Sequence, residues 1–162
     1  MDASGTDLAY LRRCVELARE ALDDGDEPFG SLLVDGTDTV RFEDRNRVKG
    51  GDQTRHPEFE IARWSATHLS AREREQSTVY TSGEHCPMCS AAHAWMGLGR
   101  IVFAVSSAQL TAWRAEWGAA ESPVAPLPVQ TVAPGIPVQG PVPELAEAVY
   151  ELHHHHFARS RH

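Results

Sequence analysis

H-P-E at residues 56–58 and C-P-M-C at residues 86–89 are the two stretches that decide the fold of this chain. Together they read H-x-E, 27 intervening residues and then C-x-x-C. One His and two Cys are zinc ligands that leave the fourth tetrahedral position open, as in catalytic rather than structural sites. A carboxylate two residues after the His can move protons to and from a zinc-bound water. The spacing therefore predicts a catalytic Zn²⁺ with His56, Cys86 and Cys89 as its ligands and Glu58 as the catalytic acid and base.

Two other interpretations of these residues are a structural zinc site and a redox-active C-x-x-C pair. A structural zinc would need a fourth protein ligand. A redox pair would not require H-x-E upstream. Two independent motifs agree in order and spacing, and this agreement favours the catalytic site over both alternatives.

Both motifs are expected at the starts of helices. Proline suits the first helical position and keeps the residue before it out of the helical conformation. Pro57 therefore predicts His56 at a helix entry, with Glu58 in the first turn. Cys86 and Cys89 are three residues apart, so they share one face at the start of another helix. The positive end of that helix favours the thiolate forms that bind zinc.

The flanking sequence alternates between helix and strand patterns. Apolar residues at intervals of three and four indicate helices, and short apolar runs beside turn residues indicate strands. The predicted elements, in order, are a helix from about Thr6, strands at 29–34 and 39–43, a helix from Pro57 to about Leu69, a strand at 78–82, a helix from Cys86 to about Met96, a strand at 101–105 and a helix from Glu144. This order predicts an α/β fold with a mainly parallel sheet covered by helices.

The length of 162 residues predicts a single domain, 1–162. Seven of the ten prolines lie between Pro123 and Pro143, which predicts an extended connection with at most one edge strand, at 129–132 or 136–139. We expect a zinc-site core at 1–110, a proline-rich connection at 111–143, and a C-terminal helix and tail at 144–162. The histidines at 153–156 are interpreted as a solvated helix face or as residues added by cloning.

Composition limits the partners and the compartment. The net charge of −8 opposes broad attraction to a polynucleotide, so a polynucleotide partner is disfavoured. No apolar run approaches the roughly 20 residues of a membrane span, and the N-terminus lacks the segments of a secretion signal, so no membrane association is expected. Three cysteines, two of them in C-x-x-C, do not form a disulfide framework and favour a reducing cytoplasm.

H-x-E and C-x-x-C, with P-F-G-S-L-L-V at 28–34 and D-R-N-R-V at 44–48, resemble the cytidine-deaminase-like superfamily, and its guanine-deaminase-like branch in particular. The chain departs from the family pattern at Pro57, where the family usually has Ala, and at His85, where it has Pro. The resemblance implies a three-layer α/β/α fold with a mixed, mainly parallel five-stranded sheet, and a homodimer. It also implies hydrolytic deamination of a small amino-substituted heterocycle with release of ammonia. Guanine, cytosine and aminotriazines are the expected classes, as free bases or nucleosides.

The resemblance further implies four substrate-binding residues. Asn46 matches a family asparagine that hydrogen-bonds the base or sugar, and Phe29 matches a position where some purine deaminases place an aromatic ring. Gly30 would let backbone approach a ligand, and His85 would touch the substrate or support the zinc ligands. Each has a structural alternative: a turn for Asn46 and His85, the core for Phe29, and a strand start for Gly30.

Two other functions stay open on the sequence. Transfer-RNA adenosine deaminases are similar in length but need a basic surface, which the acidic balance disfavours. A non-catalytic zinc-binding module is the third possibility, and the intact Glu58 argues against it. The C-terminal helix also has two interpretations. Its tail closes the active site, as in guanine-deaminase-like relatives, or the helix docks on the outer face of the sheet.

Overall fold

The computed structural model describes residues 4–160, and five strands and seven helices lie in this range. The strands are β1 (Gly30–Val34), β2 (Val40–Arg45), β3 (Thr78–Gly83), β4 (Arg100–Val105) and β5 (Val138–Gln139). The helices are α1 (Gly5–Asp23), α2 (Pro57–His68), α3 (Ala71–Glu75), α4 (Pro87–Trp95), α5 (Ser107–Trp117), α6 (Val129–Val132) and α7 (Pro143–Ser160). Within the described range, no helix is both long and apolar enough to cross a membrane.

The five strands form one mixed sheet in the order β2-β1-β3-β4-β5. β1 is antiparallel to both of its neighbours, whereas the pairs β3–β4 and β4–β5 are parallel. A short turn joins β1 to β2 and therefore makes that pair antiparallel, while the crossover through α4 allows β3 and β4 to run parallel. The predicted α/β class and mixed five-stranded sheet are confirmed. Half of the pairings are parallel, so "mainly parallel" overstated their share.

Alternation of side chains along the strands divides the core between the two faces of the sheet. On one face, Leu32 of β1 belongs to a cluster with Leu11 of α1 and Val149 of α7. On the other face, Leu33 belongs to a cluster with Ile61 of α2, and the partly buried Ala92 of α4 packs against this cluster. The sheet is therefore the middle of three layers, and the two zinc motifs, on α2 and α4, lie on the same side.

The region after β4 is more regular than the sequence indicated. α5 occupies the start of the segment that we expected to be a proline-rich connection, because Ser106 and Gln109 form a capping box at its N-terminus. Of the two predicted edge strands, the one at 136–139 is present as β5, and 129–132 is the short helix α6. The predicted last helix is α7, and residues 161–162 of its predicted tail lie outside the described residues.

Candidate active site

The three predicted zinc ligands converge between α2 and α4. His56 is the N-cap of α2 and Cys86 is the N-cap of α4, and each is followed by a proline at the first helical position. The helix entry at His56 is the one predicted from Pro57, and α4 begins at Pro87 rather than at Cys86. Cys89 lies in the first turn of α4 and is fully buried. The ligand atoms of these three residues all lie within 4.8 Å of one another. This is the one such His/Cys/Asp/Glu group among residues 4–160.

The separations within this group can be compared with those of a tetrahedral zinc site. The Nδ1 atom of His56 lies 3.5 Å from the Sγ of Cys86 and 3.5 Å from the Sγ of Cys89. Tetrahedral angles with Zn–S of about 2.3 Å and Zn–N of about 2.0–2.1 Å place nitrogen and sulfur about 3.5 Å apart. The donor set and its spacing therefore fit a zinc ion held through His56 Nδ1 and the two sulfurs.

The same contacts shift the protonation of the ligands. The hydrogen bond with Cys89 lowers the pKa of the Cys86 thiol to about 4, and the hydrogen bond with His56 contributes to the same shift. The hydrogen bond with Cys86 raises the pKa of His56 to about 9. The contact between His56 and Cys86 therefore stabilises the charged forms of both side chains.

Glu58 lies in the first turn of α2 and is 6% exposed. Its Oε1 accepts hydrogen bonds from the hydroxyls of Ser31, at 3.0 Å, and Thr81, at 2.7 Å. Its Oε2 lies 3.8 Å from Cys89 Sγ and is thus the oxygen beside the ligand group. Burial raises the pKa of this carboxyl group. One carboxylate oxygen is therefore attached to the sheet while the other is next to the predicted metal position.

Asn46 follows β2 and is 2% exposed. Its backbone N–H donates to the carbonyl of Phe29, and its Nδ2 donates to Asp26 Oδ1 at 3.4 Å. Its Oδ1 is buried and has no hydrogen-bond partner among the residues described. A buried acceptor without a partner is costly, and this oxygen is therefore suited to accept a hydrogen bond from a ligand. Asp26, which fixes the amide, was not identified from the sequence.

Phe29 precedes β1 and packs over the end of β3. A Cβ atom at Gly83 would lie 3.2 Å from the Phe29 ring. On its other side the ring contacts His153 of α7. The interpretation of 153–156 as a solvated face was therefore wrong for His153, which is buried on the same face as Leu145 and Val149, whereas His154 and His155 are exposed.

Two other predicted substrate residues lie in structural positions. A Cβ at Gly30 would lie 2.4 Å from the Cys14 carbonyl oxygen of α1, so the glycine permits close packing of α1 on β1 rather than the approach of a ligand. His85 is fully buried, and its ring meets that of His93 edge-on with centroids 5.5 Å apart. That contact favours interior packing over contact with substrate.

Glu84 has a role that the sequence did not indicate. Its Oε1 accepts from the backbone N–H of Ser107, at the start of α5, and its Oε2 accepts from the N–H of Val129, at the start of α6. A carboxylate is favourable at a helix N-terminus. Glu84 therefore holds two later segments against the loop that carries the cysteine motif.

Comparisons with known proteins agree with this geometry. A probable cytosine deaminase of Schizosaccharomyces pombe is 39% identical over 109 residues, which are 67% of this chain and 66% of that protein. The guanine deaminase of Bacillus subtilis is 33% identical over 87 residues, 53% of this chain and 56% of that protein. The chain thus matches less than two thirds of the length of either relative.

A solved structure extends the fold comparison to nearly the whole chain. The guanine deaminase of Nitrosomonas europaea superposes with a TM-score of 0.69 at 21% identity, covering 98% of this chain and 87% of that one. At this identity the likeness concerns the fold alone. Residues 4–105, which contain both motifs, match the family described as the cytidine and deoxycytidylate deaminase zinc-binding region. This chain therefore belongs to the cytidine and deoxycytidylate deaminase family.

Proposed function

We propose that the protein is a zinc-dependent hydrolytic deaminase that removes an amino group from a small heterocycle and releases ammonia. The observation that carries the proposal is the placement of Glu58 Oε2, 3.8 Å from Cys89 Sγ, beside three donors spaced for tetrahedral zinc. When bound, zinc lowers the pKa of a water molecule and so supplies a nucleophile at neutral pH. His56, Cys86 and Cys89 hold the ion, and Glu58 is the residue that moves protons.

Glu58 serves the reaction at two points. Its free oxygen accepts one proton from the attacking water and passes it to the ring nitrogen, and it then accepts the remaining proton of the added hydroxyl group and passes it to the amino group, which leaves as ammonia. Burial of the carboxylate excludes bulk water, which would otherwise compete as a proton donor and acceptor. A metal-binding module without catalysis would have no use for a buried carboxylate at this point.

Asn46 and Phe29 form the proposed substrate side of the site. The unpartnered Oδ1 of Asn46 accepts from an N–H or amino group of the heterocycle, because its Nδ2 is already engaged by Asp26. Phe29 offers an aromatic face to the ring. A buried acceptor of this kind discriminates strongly against analogues without the matching donor.

The substrate class is proposed to be a free base or nucleoside of the guanine, cytosine or aminotriazine type. The relatives named as cytosine and guanine deaminases support this choice. Transfer RNA is the second candidate, and the net charge of −8 weighs against it, because RNA binding requires cationic surface.

Ammonia release from a substrate panel tests the proposal. The panel contains guanine, cytosine, adenine, their nucleosides and aminotriazines, with transfer RNA as a further arm and Glu58→Gln as the matched inactive control. We expect ammonia from at least one small heterocycle and none from transfer RNA. Zinc-loaded protein that releases ammonia from no member of the panel would overturn the proposal.

We also propose that the protein is a cytoplasmic homodimer. Trp95 at the end of α4 is 87% exposed, and large exposed aromatic side chains are typical of subunit contacts. The three cysteines of the protein form no disulfide bond with one another, as expected in a reducing compartment such as the cytoplasm. Light scattering on the wild type and on Trp95→Lys tests the dimer: we expect a dimer that the substitution weakens, and a monomeric wild type would contradict it.

A further inference from the structure

Ser31 of β1 and Thr81 of β3 face each other across the antiparallel β1–β3 pair. Both side chains are completely buried. The neighbours two residues away on the same sheet face, Leu33 and Val79, belong to the apolar cluster beneath α2. Two hydroxyls inside an apolar layer cost free energy unless hydrogen bonds compensate for them. The hydrogen-bond partners of these two hydroxyls should therefore explain why polar residues occupy these buried positions.

Both hydroxyls converge on one oxygen of Glu58. Ser31 Oγ lies 3.0 Å and Thr81 Oγ1 lies 2.7 Å from Glu58 Oε1, and the two hydroxyls are 2.9 Å from each other. Thr81 Oγ1 also lies 2.9 Å from the carbonyl oxygen of Gly83. The two hydroxyls thus connect the carboxylate to β1 and β3, two neighbouring interior strands of the sheet.

We infer that Ser31 and Thr81 are positioning residues that hold Glu58 Oε1 on the sheet, so that Oε2 is presented to the His56–Cys86–Cys89 group. The inference rests on the proposed function, because it gives Ser31 and Thr81 a role only if Glu58 moves protons there. A glutamate side chain has several rotatable bonds, and catalysis by proton transfer depends on placement to within a fraction of an ångström. Two bonds to one oxygen determine which oxygen points to the metal position.

Hydroxyl groups suit this task better than a cation. A hydroxyl can donate or accept a hydrogen bond, so its contact with Oε1 survives when a proton moves onto or off the carboxyl group during turnover. A Lys or Arg in the same place would only donate and would hold the group as a carboxylate. The pair therefore supports Glu58 in both of the forms that the reaction requires.

Substitutions at Thr81 test the inference. Thr81→Val removes the hydroxyl but keeps the branched shape, and Thr81→Ser is the matched control that keeps the hydroxyl. We expect Thr81→Val to lower kcat by about tenfold to a hundredfold with KM within about threefold of the wild type, because misplacement affects the transition state more than binding. Thr81→Ser should stay within about threefold of the wild type in kcat. Equal kcat for Thr81→Val and the wild type would overturn the inference.

Ser31→Ala provides a second variant if Thr81→Val folds poorly. It should likewise lower kcat while leaving KM close to that of the wild type. The double variant should lose less than the product of the two single losses, because both hydroxyls act through one oxygen. Multiplicative losses would contradict action through that shared atom. Zinc content and melting temperature, measured on every variant, separate loss of position from loss of fold.

A crystal structure of Thr81→Val gives a readout that does not depend on turnover. We expect the Glu58 carboxylate to rotate from its place beside Cys89 Sγ, and an unchanged carboxylate would overturn the inference. Glu58→Gln separates this failure from failure of the proposed function. If Glu58→Gln keeps full turnover, the proposed function and the inference both fail. If Glu58→Gln is inactive and Thr81→Val is fully active, only the positioning role fails.

Discussion

The imidazole of His153 lies edge-on against the ring of Phe29, with the two centroids 4.8 Å apart. This contact joins the last helix to the residue that we propose for the aromatic side of the substrate site. The Nε2 atom of His153 is buried and has no hydrogen-bond partner within the part of the chain that the structure describes. The C-terminal helix therefore contacts the candidate site at Phe29, and the Nε2 atom that it buries there makes no hydrogen bond with the residues described.

The first prediction is that His153 makes the protein less stable in acid. Burial lowers the pKa of His153 to about 3, and the nearby His156 and Arg114 act in the same direction. The unfolded chain takes up a proton at this residue near pH 6.5, whereas the native state does not until about pH 3, so the free energy of unfolding falls as pH drops below about 6.5. The loss from this residue alone is about 2 kcal/mol at pH 5.

Urea unfolding at pH 7.5 and pH 5.0 measures this effect. His153→Leu should show a smaller difference between the two pH values than the wild type, and His155→Leu, at an exposed position of the same helix, is the matched control. Other buried histidines contribute equally to the pH dependence of both proteins. The contribution of His153 is therefore the difference in pH dependence between the wild type and His153→Leu. Equal pH dependence in His153→Leu and the wild type would refute the assignment.

The second prediction is one zinc per chain, lost when a ligand is removed. Cys89 is buried, so Cys89→Ser replaces a thiolate by a poorer ligand where water cannot easily compensate. We expect marked loss of zinc by metal analysis, and little change on Cys14→Ser, which alters a buried cysteine of the core cluster that is not part of the His56–Cys86–Cys89 group. Full zinc occupancy in Cys89→Ser would remove Cys89 from the ligand set.

The third prediction concerns Glu58→Gln, which keeps the shape of the side chain but cannot carry protons. Zinc content and fold should be preserved, because Ser31 and Thr81 can still hydrogen-bond the amide. Turnover should fall by at least about 10²-fold, the lower end of what one general acid–base contributes. Deamination within about threefold of the wild type would exclude Glu58 from the proposed role.

The fourth prediction separates substrate binding from chemistry. Asn46→Ala removes the unpartnered acceptor and should reduce kcat/KM by about tenfold or more, mainly through KM, because one hydrogen bond is worth about that much. Zinc content should not change. Steady-state kinetics on the best substrate of the panel provide the test, and an unchanged KM would assign Asn46 to the turn alone.

The His56–Cys86–Cys89 group and the helices that carry it could be predicted from the sequence because the information is local. A proline after His56 and another after Cys86 fix both helix starts, and the ligand spacing then follows from helix geometry. The sequence also contains local signals for the starts of α3 and α5. Each begins with a capping box, formed by Ser70 with Glu73 and by Ser106 with Gln109.

The remaining site residues depend on contacts between distant segments. Ser31 and Thr81 meet only because β1 and β3 pair antiparallel, and this pairing follows from the path of the chain after β2 rather than from either strand. Asp26 and Asn46 are 20 residues apart in the sequence, and the hydrogen bond between their side chains forms only when the fold brings the two segments together. A hydroxyl within an apolar strand, as in G-S-L-L-V, is the one sequence signal that could have indicated a buried polar contact.

The last prediction is that the end of α7 closes the active site while its beginning only anchors it. Leu145 and Val149 are buried in the core cluster that includes residues of α1 and β4, so the first turns are docked on the sheet. The later turns contact Phe29 through His153, and Arg159 Nη2 donates to the Leu22 carbonyl at 2.8 Å. Closure by these turns would exclude bulk water from the buried carboxylate and substrate.

Two truncations separate closure from simple docking. Removal of residues 153–162 eliminates the contact with Phe29, and removal of 159–162 keeps it. If the tail closes the site, kcat/KM should fall by at least about tenfold in the longer truncation and stay near the wild type in the shorter one, with zinc bound in both. If α7 is only docked, both truncations should keep wild-type kinetics, because the anchors Leu145, Val149 and Leu152 remain in place. A well-folded, zinc-loaded protein without residues 153–162 that retains full kcat/KM would therefore exclude the closing role.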